Sequence, residues 1–112
     1  MANTVIPTAY FESKYKRLSR KFPSLDNELI HLEKDLICNP KLGQSLGSNL
    51  YKIRLSASDK GKGKSGGFRL ITYLIQEHQN SMEVYLLTIF DKSEEGNIPK
   101  SVLEKLVKTI FK

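Results

Sequence analysis

The run Ser56-Ala57-Ser58-Asp59-Lys60-Gly61-Lys62-Gly63-Lys64-Ser65-Gly66-Gly67 holds four of the chain's seven glycines and three lysines at alternate positions. Alternating Gly and Lys cannot pack a core, so this segment reads as an exposed loop. Its ammonium groups repel one another, and a bound polyanion relieves that repulsion. Lys52 and Arg54 precede the loop and Arg69 follows it. Residues 41–75 carry seven basic side chains against the single acid Asp59, a local net charge of +6 that equals the excess of the whole chain. Residues 1–40 and 76–112 carry +1 and −1. Charge gathered in one third of a chain points to a polyanion-binding patch rather than to general solubility. The bland alternative is a hairpin loop bearing a solvated charge run. Gly63-Lys64-Ser65 looks like the end of a nucleotide-binding P-loop, but that pattern needs glycine where Ser58 stands and a helix where Phe68–Ile75 reads as a strand.

Other chemistries lack their parts. His31 falls in a predicted helix and His78 in a predicted turn, so neither joins the basic cluster, and each reads as a surface or partly buried structural residue. Cys38 is the only cysteine and cannot form an intramolecular disulfide. No metal-ligand spacing is present, and no cofactor is expected. The longest apolar stretch, Val84–Phe90, is far too short to span a bilayer. The first residues lack the basic start and apolar core of a signal peptide, so a cytoplasmic protein with no membrane partner is expected. The 112 residues, 39% hydrophobic and 27% charged, fit a single folded domain over 1–112.

The elements that must position these cations follow from periodicity. Phe11, Tyr15, Leu18 and Phe22 predict a helix over about Thr8 to Phe22, ended by Pro23. Ser24 is a good cap for a second helix, striped by Leu25, Leu29, Leu32 and Leu36 and stopped at Asn39-Pro40. Leu50–Leu55 alternates, with Tyr51, Ile53 and Leu55 on one side and Lys52 and Arg54 on the other. Phe68–Ile75 and Met82–Phe90 read as more central strands joined by a polar turn over Gln76–Ser81. Asn97-Ile98-Pro99 opens a last helix with Val102, Leu103, Leu106, Val107 and Ile110 on its apolar face. The expected fold is α+β: a helical hairpin packed on an antiparallel sheet of three or more strands, then a C-terminal helix.

Tyr51-Lys52-Ile53-Arg54-Leu55, the Gly/Lys loop, Gly66-Gly67-Phe68-Arg69-Leu70-Ile71-Thr72-Tyr73 and Leu86-Leu87-Thr88-Ile89-Phe90-Asp91-Lys92-Ser93-Glu94 together resemble the RelE/HigB toxins of bacterial toxin–antitoxin modules. Asn39-Pro40-Lys41-Leu42-Gly43 is similar to that family's helix-to-strand junction, and the resemblance runs from about residue 25 to 110. It implies a RelE-like fold and a ribosome-dependent endoribonuclease that cuts messenger RNA in the decoding site. The RNA supplies its own 2′-hydroxyl nucleophile, and no metal is needed. It also implies a cognate antitoxin, expected to be a helix-turn-helix protein encoded next to it. Two other readings stand beside this one: a non-catalytic or gyrase-directed ParE-like binder, and an inert relative that serves only as the antitoxin's partner.

Roles carry over from the resemblance position by position. Arg69 would meet the transition-state charge, Arg54 with Lys52 would orient the phosphate, and Lys92 would transfer a proton. Lys60, Lys62 and Lys64 would guide and hold RNA, with Lys64 nearest the scissile phosphate. Phe90 stands where many relatives have tyrosine; it keeps a stacking face for a base but has no proton to give, and core packing is its alternative. Phe111 and Lys112 are placed to touch RNA, although Phe111 fits the helix's apolar face equally well. An ion pair with Glu94 or Glu95 would remove Lys92 from this set.

Overall fold

The computed structural model describes residues 3–57, 67–78 and 80–111. Lys60, Lys62, Lys64 and Lys112 lie outside the described residues. The elements run β1 (Thr4–Pro7), α1 (Ala9–Lys21), α2 (Leu25–Cys38), β2 (Gln44–Gly47), β3 (Leu50–Leu55), β4 (Phe68–His78), β5 (Ser81–Asp91), α3 (Lys92–Glu95) and α4 (Lys100–Ile110).

The five strands form one sheet in the order β1-β5-β4-β3-β2. The pairs from β5 through β2 are antiparallel, as the alternation predicts, but β1 lies parallel to β5 and makes the sheet mixed. Thr8 explains how so short a strand is held. It caps α1 by accepting from the Phe11 amide at 3.0 Å, and its hydroxyl donates to the Leu86 carbonyl at 2.9 Å. Asn3 does the same at the strand's other end, donating to the Ile37 carbonyl at 2.9 Å and accepting from the Met82 amide at 3.1 Å. Ser24 precedes α2 in helical geometry and makes no capping bond through its side chain, which corrects its expected role. The polar turn is also tighter than Gln76–Ser81, because β4 and β5 stay paired as far as His78 and Ser81.

Each face of the sheet has its own core. On one, Phe11, Leu18, Leu25, Leu32 and Leu36 of the hairpin bury against Ile53, Leu70, Leu86 and Ile89. On the other, Leu103 of α4 closes over Leu50, Ile71, Leu87 and Phe90. Fully burying each such side chain contributes about 1.5–3 kcal/mol, so the hairpin face dominates the stability. An irregularity between Ile71 and Thr72 leaves Leu87 unmatched in β5, and the register beyond it sets which face Phe90 takes.

Two tight features position β3. Ser48 and Asn49 both have positive φ, 54° and 65°, as a two-residue hairpin turn between β2 and β3 requires. Gly43, at φ +101°, lies so close to β3 that an added Cβ would stand 2.6 Å from the Lys52 carbonyl oxygen and 2.7 Å from Ile53 Cγ1. Any larger residue there displaces Lys52.

Candidate active site

Three strands bring the predicted cations into register. Arg54 of β3 pairs with Arg69 of β4, and Arg69 pairs with Phe90 of β5. On the next rung of the same face Lys52 pairs with Ile71, which pairs with Thr88. Directly opposite residues have Cβ atoms about 5 Å apart, so the two arginines are immediate neighbours. They differ in exposure: Arg54 is exposed, whereas Arg69 retains 2% of its surface. The Arg69 guanidinium donates through Nη1 to the Phe68 carbonyl at 3.2 Å. Burial, and after it the positive charge of Arg54, pulls the Arg69 pKa below the ordinary arginine value. A buried cation facing a second cation is an arrangement that an anion stabilises.

Lys92 reaches this region by a separate route. It opens α3, where Asp91 caps the helix by accepting from the Ser93 amide at 3.0 Å and the Ser93 hydroxyl at 2.7 Å. The Lys92 amide donates to the Gly67 carbonyl at 3.2 Å, which ties it to the start of β4, two residues from Arg69. Glu94 does not occupy Lys92. Its carboxylate pairs with Arg17 at 3.6 Å and Lys21 at 3.9 Å, both on α1.

Phe90 takes its alternative role. It is 1% exposed and packed with Ile71, Leu87 and Leu103, so its ring has no face open to a base, which corrects the stacking expectation. Phe111 likewise belongs to the packing of α4, with ring centroids 5.1 Å from Tyr73 and 4.7 Å from Tyr85. His31 departs from expectation in the other direction. It is exposed on α2, but it lines an open cleft of about 500 Å³ with Glu28, Asp35, Gly43, Lys52 and Arg54. Sequence order hid this approach, because only the tertiary packing of α2 beside β3 creates it. Among the described residues no cluster of His, Cys, Asp or Glu is arranged to hold a metal ion, and no helix is long and apolar enough to cross a membrane.

No family model matches the chain. Its structure is similar to that of a double mutant of E. coli toxin RelE in the free state. The match has a TM-score of 0.63 and 18% sequence identity, and covers 99% of this chain and 100% of that one. With both cores, the mixed sheet and the helical hairpin accommodated over that whole length, the chain has the RelE fold.

Proposed function

We propose that the chain is the toxin of a toxin–antitoxin pair and that it cuts messenger RNA on the ribosome. The observation that carries this reading is the Arg54–Arg69 rung, two like charges directly opposite on a RelE-type sheet. Folding opposes such a pair, and a phosphodiester between the guanidinium groups turns the repulsion into binding.

The chemistry runs through the RNA's own 2′-hydroxyl. Its oxygen loses a proton and attacks the adjacent phosphorus, and the bond to the 5′ oxygen breaks. The products are a 2′,3′-cyclic phosphate and a 5′-hydroxyl whose oxygen has gained a proton. Charge builds on the equatorial phosphate oxygens, where a fixed guanidinium acts best because it needs no reorganisation during the reaction. Arg69 takes that role. Arg54 and Lys52 orient the phosphate, Lys92 transfers a proton, and Lys60, Lys62 and Lys64 hold the strand with Lys64 nearest the cut. The partner is a cognate antitoxin of the helix-turn-helix type that neutralises the basic face or blocks ribosome entry.

Induced expression of the wild-type chain should arrest growth, and primer extension should find cuts within translated messages. Arg69→Ala should abolish both while the purified variant still melts cooperatively. Undiminished arrest by a folded Arg69→Ala protein would sink the catalytic assignment.

A further inference from the structure

The two helices of the hairpin carry opposite charge, which the +1 of the first forty residues conceals. α1 holds Lys14, Lys16, Arg17, Arg20 and Lys21 against Glu12, whereas α2 holds Asp26, Glu28, Glu33 and Asp35 against Lys34. At about 100° per residue, Phe11, Tyr15, Leu18 and Phe22 occupy an arc of roughly 60° that faces the core. The five cations fall in a separate arc of roughly 160°, and Glu12 lies outside it. Lys16, Arg17, Arg20 and Lys21 are exposed and Lys14 is half-buried. Arg17 and Lys21 are shared with Glu94, while no ion pair among the described residues engages Lys14, Lys16 or Arg20.

We propose that this outward face of α1 is a second phosphate-binding surface, one that takes the backbone of double-helical RNA. The face lies across the sheet from Arg54 and Arg69, since α1 belongs to the hairpin core and the two arginines point to the α4 side. It is therefore a separate surface, joined to the site at one edge where Glu94, two residues beyond Lys92, bridges to Arg17 and Lys21.

The composition of the face selects the partner. A membrane-surface helix needs an apolar face to insert, and that of α1 is spent in the core. A protein interface is built around buried apolar anchors, and the only large hydrophobic side chain in this arc is Tyr10, 41% exposed. Single strands are held by aromatic stacking, but Lys14 Nζ already sits 5.4 Å from the centroid of the Tyr10 ring. What remains is a row of long cationic side chains spanning about 10 Å of helix, which suits successive phosphates read without regard to base.

The test compares the full-length protein with Lys14→Gln/Lys16→Gln/Arg20→Gln, leaving the Glu94 pairs intact. The probe is a blunt RNA duplex of about 20 base pairs, 2′-O-methylated so that it offers no nucleophile, titrated by fluorescence anisotropy over roughly 50–200 mM salt. We expect the triple variant to bind at least tenfold more weakly, and its log–log salt slope to fall by about 0.9 for each phosphate it no longer neutralises. Lys14→Arg/Lys16→Arg should keep wild-type affinity and show that the weakening follows charge rather than folding. Equal affinity and slope for wild type and triple variant would overturn the proposal. So would binding of polyglutamate by the wild type as tightly as the duplex, which would make the face a site for acidic protein. A short single-stranded oligonucleotide separates this result from the cleavage reading: Arg54→Ala should weaken its binding and the triple variant should not. Failure of the Arg54 arm alone counts against the cleavage site, and failure of the duplex arm alone counts against α1.

Discussion

Two arginines held directly opposite on neighbouring strands work against folding, and like charges in that position cost about 0.2–1 kcal/mol. Arg54→Thr removes the repulsion and places a good strand former at an exposed position. The variant should melt about 1–4 °C higher than wild type by calorimetry while its affinity for a short RNA falls. A lower melting temperature would show that Arg54 is held by interactions stronger than this repulsion. Arg69 allows a second test. A lysine in its buried place would have a pKa pulled below the usual value of about 10.4, for the reasons that lower that of Arg69 itself. Arg69→Lys should therefore bind RNA at low pH and lose it as pH rises through the lowered pKa, while wild type stays flat over the same range. Stability should move the opposite way. Between the two pKa values the unfolded chain holds more protons, so the folded variant gains stability as pH rises there. At this scale the sequence was legible in part. Alternation in Leu50–Leu55 placed Lys52 and Arg54 on one face, as observed. It carried no sign that Arg69 is buried, and it left Phe90 between base stacking and core packing, which the closure of α4 over that face decides for the core.

At the scale of elements, the segments with several periods of pattern were readable and the four-residue ones were not. α1, α2, β3, β4, β5 and α4 each repeat an apolar spacing often enough to reveal their period. β1, β2 and α3 are four residues each, and their geometry comes from partners outside the strand or helix itself: the Leu86 carbonyl for β1, the Leu50–Lys52 stretch of β3 for β2 and the Asp91 cap for α3. Gly47-Ser48-Asn49 did carry a turn signal, since glycine and asparagine tolerate the positive φ that two-residue hairpins need. Gly43 tests how far an element controls the site. Gly43→Ala combines an unfavourable φ with a Cβ 2.6 Å from the Lys52 carbonyl oxygen, and should cost about 2–3 kcal/mol. Urea titration should show a lower midpoint at an unchanged slope. Because the clash pushes on Lys52, RNA affinity measured under folding conditions should fall as well.

For the whole molecule the informative quantity is how the charge is sorted, not its sum. The +6 of the chain is one basic third plus a hairpin whose helices nearly cancel. A count by sequence thirds found the first and missed the second, since the cations of α1 and the acids of α2 fall within the same forty residues and cancel there. Sorted cations repel within their own faces, and salt screens them within about 8–10 Å at 0.1–0.15 M. Raising sodium chloride from low concentration should therefore raise the melting temperature by a few degrees while weakening RNA binding steeply. Opposite responses of the two measurements to the same salt series are the expected signature. A parallel decline in both would show that ion pairs such as Arg17–Glu94 outweigh the repulsion.

The parallel seat of β1 also has a consequence in time. Thr4–Pro7 is made long before its partner, since it pairs with Glu83–Leu86 and the Thr8 hydroxyl finds the Leu86 carbonyl 78 residues later. α1 docks on that same late strand. Contacts of such long sequence separation are slow to form, because the loop must close before any of them is gained. During translation β1 and α1 wait undocked until β5 has emerged. The basic face of β3 and β4 therefore gains its neighbouring strand β5 last, so the ribosome making this chain has already completed the hairpin, β3 and β4 before a finished site exists.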